Sequence, residues 1–145
     1  MKIKQKQPVR GEVYLCQFDP ARGSEQAGTQ PAVIVERTAF SSVAAKRHVL
    51  VVAITTNPKC ERLPFCVRLE AGKENGLKTT SYLNTSHIHA FSKDRLLKKM
   101  GKLTSGEIAE MDIALRQIKH LSKCEIHFCY FTSCQLSHFL HKPVL

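Results

Sequence analysis

His87 and His89, at alternate positions in NTSHIHAF, are side chains that move protons near neutral pH. A loop of small and polar residues, GSEQAGTQP at 23–31, separates two apolar runs and ends in the neutral Gln30 before Pro31. Gly23 and Gly28 give that loop permissive backbone. The stretch CEIHFCYFTSCQLSHFLH concentrates Cys and His, the ligand types of a tetrahedral zinc site. Its spacings match no familiar zinc pattern, so no metal is expected. Arg10, Arg22, Arg37, Lys59, Arg62 and Lys73 flank the predicted loops, and together they suit a salt-dependent hold on phosphate. Phe40 and Phe65 are the aromatic residues placed to stack on a base.

The elements that must position these groups form one domain, since 145 residues suffice for a single core. Lys and Arg number 22 against 12 Asp and Glu, a formal charge of +10 that favours a polyanionic partner. The six cysteines contain no C-x-x-C pair, which argues for free thiols rather than a disulfide framework. The charged start MKIKQKQPVR has no apolar stretch behind it, and no segment reaches spanning length, so a cytoplasmic protein is expected.

From Gly11 to Phe91 short strands alternate with turn signals. EVYLCQF and LPFCVRLE alternate, PAVIVE and HVLVVAIT are β-branched runs, and SYLNTSHIHAF suits one or two further strands. After Phe91 the period changes. SKDRLLKK predicts one or two helical turns with Ser92 as N-cap, and Thr104 with Glu107 in TSGE predicts a capping box opening a longer helix. Ile108, Met111, Leu115 and Ile118 fall on one helix face, expected to be core rather than groove. The pattern predicts a β-rich α+β fold, a small curled sheet or barrel with a short helix and a C-terminal helix.

RGEVYLCQFDPARGSEQAGTQPAVIVE, VVAITTNPK, LPFCVRLE, NGLKTTSYL and FSKDRL, in this order, resemble the MazF/PemK family of bacterial toxins. The resemblance runs through most of residues 10 to 121, and marks 1–121 as a toxin domain and 122–145 as an extension. It implies an SH3-like barrel that forms a homodimer and cleaves single-stranded RNA without metal or cofactor, held in check by an antitoxin with an acidic disordered segment. It also implies attack by the adjacent 2′-hydroxyl, with Thr55 binding a phosphoryl oxygen, Glu25 as general base or its orienter, and Gln26 bonding a base or the backbone. Gln30 stands where the family usually carries an arginine that grips phosphate and stabilises the transition state. Ser86, His87 and His89 replace an acidic residue, Gln and Arg of the family pattern. The cation missing at position 30 predicts weak or absent cleavage, and leaves a catalytically dead homologue that binds antitoxin or RNA as the alternative. A gyrase poison on the same barrel ranks last, because LHKPVL matches no such ending.

Overall fold

The computed structural model describes residues 7–18 and 28–118. Six antiparallel strands form one sheet: β1 (Glu12–Gln17), β2 (Thr29–Ile34), β3 (His48–Thr55), β4 (Cys66–Leu69), β5 (Ser81–Ser92) and β6 (Leu96–Lys102), in the order β4-β5-β3-β2-β1-β6. The short helix α1 spans Thr38–Ser41 and the longer α2 spans Ser105–Ile118. Alternation gives the sheet two buried faces. One, with Val13, Val33, Val52, Leu69 and Leu83, packs against Met111 and Ala114 of α2. The other, with Cys16, Phe18, Ala32, Val51, Ala53 and Phe91, carries small residues on the inner side of the curled sheet. Phe18 of the β1 end meets Phe91 of β5 with ring centroids 4.7 Å apart, across strands β2 and β3. This small, barrel-like architecture agrees with the expected fold.

SKDRLLKK departs from expectation. Only Lys93–Arg95 forms a 3-10 turn, Ser92 makes no side-chain cap, and Leu96–Lys102 is strand. Leucine and lysine favour helix locally, but pairing with β1, from Cys16↔Leu96 to Glu12↔Lys102, overrides that preference. SYLNTSHIHAF is a single strand.

The capping box forms as expected. The Glu107 N–H donates to Thr104 Oγ1 at 3.3 Å, and the Thr104 N–H donates to Glu107 Oε2 at 2.8 Å. Thr104→Ala is expected to lower stability by about 1 kcal/mol, measured by chemical denaturation. The α2 face is corrected at Ile118, which is exposed, whereas Ile108, Met111 and Leu115 pack into the core as expected. Leu115 also lines an open groove of about 830 Å³ together with Val35, Phe40, Leu50 and Ile88. In that groove Glu36 pairs with Lys46, while its Oε2 is buried and has no hydrogen-bond partner among the described residues.

Glu12 anchors the start of β1. Its carboxylate pairs with Lys99 of β6 and accepts from the Val9 N–H at 2.9 Å and the Tyr14 hydroxyl at 3.1 Å. Burial alone raises its pKa, but Lys99 and these donors outweigh burial and hold it below the ordinary value. A depressed carboxylate stabilises the fold above its unfolded pKa, and that stability is lost as pH falls through the folded value. Glu12→Gln is therefore expected to cost about 1 kcal/mol at neutral pH. The gap to the parent should close on acidification, as read by urea unfolding at a series of pH values.

Candidate functional site

The strand registers bring separated residues to one end of the concave face. Cys16 pairs with Gln30 on one side and Leu96 on the other. β2 and β3 pair Ala32↔Ala53, Val33↔Val52 and Ile34↔Val51, so Gln30 and Thr55 each lie two residues beyond the Ala32↔Ala53 pair on their own strands. Alternation then puts Gln30 on the face of Ala32 and Ile34, and Thr55 on that of Ala53 and Val51. His89 pairs with Val51 and shares this face. Its ring lies edge-on to Phe18 at 5.6 Å and tilted to Phe91 at 5.7 Å.

Each group is held by its neighbours. The Asn57 N–H donates to Thr55 Oγ1 at 3.2 Å, and Asn57 Oδ1 accepts from the Lys59 N–H at 3.0 Å, capping the 3-10 turn Pro58–Arg62. The Thr55 oxygen thus has an intramolecular donor, and its hydroxyl proton can be given to a ligand. Lys59 and Arg62 are exposed on that turn, at the Thr55 end of the sheet. Gly28 takes a φ of +79°, a conformation suited to glycine, where its carbonyl accepts from the Phe18 N–H at 2.8 Å. That bond ties the end of β1 to the residue before β2.

His87 lies in an irregular part of β5. The pairs Val52↔Ile88 and Ile54↔Leu83 leave residues 84–87 standing against Ala53 alone. Extra residues on one strand bend it and re-aim side chains. Here the Ser86 hydroxyl and N–H both donate to Asn84 Oδ1, at 2.6 and 3.1 Å, and the Thr85 hydroxyl donates to the Phe65 carbonyl at 2.6 Å. His87 is left exposed beside them. No sequence signal marked this bulge.

Several predicted phosphate ligands lie elsewhere. Arg10 precedes β1 and pairs with Asp112, and Arg37 follows β2 with its guanidinium 5.9 Å from the Phe40 ring centroid. Both are at the far end of these strands from Gln30, in the groove beside α2. Lys73 belongs to the 72–77 turn against β6, near the start of β1. Phe40 lines the groove, while the Phe65 carbonyl serves Thr85. Glu25, Gln26 and Arg22 lie outside the described residues, as do Cys124, Cys129, Cys134 and the 122–145 extension. Arg95 was missed: its guanidinium sits 5.3 Å from the centroid of Phe91, the ring that also meets His89 and Phe18. Its only sequence signal was its place in FSKDRL.

Cys16, Cys60 and Cys66 form no disulfide among the described residues. Burial, with the Cys60 thiol beside it, pushes the Cys66 thiol up to about 12, so it provides no thiolate nucleophile at neutral pH. Among the described residues no group of three His, Cys, Asp or Glu side chains converges on a metal position. No described helix is long and apolar enough to cross a membrane.

Residues 9–119 match the family described as PemK-like, MazF-like toxin of type II toxin-antitoxin system. Endoribonuclease MazF9 of Mycobacterium tuberculosis is 33% identical over 109 residues, covering 74% of this chain and 92% of the relative. Endoribonuclease MazF of Staphylococcus epidermidis is 33% identical over 106 residues, 73% of this chain and 86% of the relative. Among solved structures, a mycobacterial endoribonuclease in complex with its cognate antitoxin matches with a TM-score of 0.61 at 25% identity, covering 80% of this chain and 96% of that one. MazF from Deinococcus radiodurans gives a TM-score of 0.65 at 21% identity, covering 79% and 98%, a likeness of fold.

Proposed function

The chain belongs to the PemK/MazF family of type II toxin–antitoxin toxins, whose relatives include endoribonucleases, and on that premise we propose that it binds and cleaves single-stranded RNA without metal. The observation that carries this reading is that Gln30, near the start of β2, and Thr55, at the end of β3, lie on the face shared by the paired Ala32 and Ala53, with His89 on the same face. In this reading the 2′-hydroxyl of the RNA attacks the adjacent phosphorus, giving a 2′,3′-cyclic phosphate and a free 5′-hydroxyl. The Thr55 hydroxyl and the Gln30 amide donate to the phosphoryl oxygens as their charge grows. Glu25 takes the 2′-hydroxyl proton, and His87 or His89 returns one to the leaving oxygen. Lys59, Arg62, Arg22 and Gln26 hold the flanking strand.

Gln30 donates hydrogen bonds but carries no charge, so turnover by this chain is weak. A nuclease-dead form that binds RNA or antitoxin is the second reading, favoured by the neutral Gln30 alone. The +10 charge suits both RNA and an acidic antitoxin segment, and the apolar groove of Phe40, Leu50 and Leu115 suits association into a homodimer in the cytoplasm. The test is incubation with long mixed-sequence RNA in chelator, with ends mapped by primer extension. Cuts bearing 5′-hydroxyl ends support the enzyme. Binding without cuts, even by Gln30→Arg, supports the second reading.

A further inference from the structure

We propose that Arg95 is a second RNA contact of this site, binding a backbone phosphate next to the reacting one. The inference rests on the RNA-binding reading above. Arg95 directly precedes Leu96, which pairs with Cys16, and Cys16 pairs with Gln30. Two interstrand spacings, about 10 Å, therefore separate the backbone at the start of β6 from Gln30. That separation places Arg95 beside the reacting phosphate rather than on it.

The guanidinium is held for this task. It lies over the Phe91 ring at 5.3 Å, and Phe91 is itself fixed by Phe18 and His89. The cation–π contact holds the guanidinium beside Phe91, and a guanidinium's planar fork of N–H donors matches phosphate. Arg10 and Arg68 are neutralised by carboxylates, whereas no carboxylate among the described residues lies within ion-pair distance of Arg95. The neighbouring Asp94 instead accepts from the Ser92 hydroxyl at 3.2 Å. Arg95 is half-buried, so part of its ordering cost is already met before RNA arrives.

The test measures binding of a labelled mixed-sequence single-stranded RNA to the full chain over a salt series of about 50 to 200 mM. Arg95→Gln is expected to lower the slope of log affinity against log salt by about 0.7, the loss of one phosphate contact on a single strand. Arg95→Lys keeps the charge and should keep the slope. In the Gln30→Arg background, Arg95→Gln should raise KM and leave kcat within about threefold, as for an interaction made equally in ground and transition states. Arginine modification by phenylglyoxal, mapped by peptide mass spectrometry, reads the same contact without a variant: bound RNA should protect Arg95. An unchanged slope in a folded Arg95→Gln protein that binds RNA overturns the proposal, as does equal Arg95 modification with and without saturating RNA. If neither the parent nor Gln30→Arg binds RNA, the RNA reading itself fails and the proposal falls with it.

Discussion

Replacing Gln30 with arginine is expected to raise metal-free RNA cleavage by at least about 10²-fold, the scale set by adding or removing one preorganised donor in an active site. The reacting phosphate gains charge on its non-bridging oxygens, and the Gln30 amide meets that charge with a neutral dipole. A guanidinium at the same strand position brings two parallel N–H donors and a full positive charge. Position 30 is prepared for it: pairing with Cys16 of β1 fixes the backbone from which the side chain projects. Because the new interaction strengthens only as charge develops, the gain belongs in kcat more than in KM. Single-turnover cleavage in chelator, parent against variant, measures it. Equal rates would show that the transition-state charge is met elsewhere, with His89 a candidate on the shared face.

The second large effect concerns folding. Gly101→Ala is expected to cost about 3 kcal/mol or more, and to leave little native protein. Gly101 sits in β6, and a Cβ there would press into the Glu74 carbonyl oxygen and come within 2.7 Å of the Asn75 carbonyl carbon. The opposing backbone cannot retreat easily. The Lys102 N–H donates to the Glu74 carbonyl at 2.7 Å, and buried Asn75 ties its own turn by bonds to the Glu70 carbonyl and the Leu77 N–H. Gly76 in the same turn has a φ of +73°, with its own Cβ position 2.6 Å from the Met100 carbonyl oxygen, so turn and strand interlock at two glycines. Thermal unfolding followed by circular dichroism would register the loss. A melting point within a few degrees of the parent would mean that the 72–77 turn yields far more than its hydrogen bonds suggest.

What the sequence disclosed followed from how local each signal was. HVLVVAIT coincides with β3, because a β-branched run has little alternative to a buried strand. Thr104 and Glu107 sit three residues apart in a motif whose two bonds are made within one turn. Leu96–Lys102 was misread because its partner, β1, is remote in the chain, and no local window contains the interaction that decides its state. Thr55 and Gln30 were legible through motif order, but their placement on one face required the pairing of β2 with β3. The bulge at 84–87 and the stack of Arg95 on Phe91 depend on residues from several strands, and individually each residue looks ordinary.

The pairing of β1 with β6 also bears on how the protein comes into being during synthesis. Glu12 finds Lys102, and Cys16 finds Leu96, only after nearly the whole described chain has been made. Such non-local contacts give the fold a high contact order, and closing the long intervening segment slows the search for the native state. Until β6 arrives, the outer edge of β1 presents unpaired backbone groups, the surface on which nascent chains aggregate. A nascent chain that ends short of residue 96 therefore leaves β1 as an edge of the sheet, without the strand that follows Arg95.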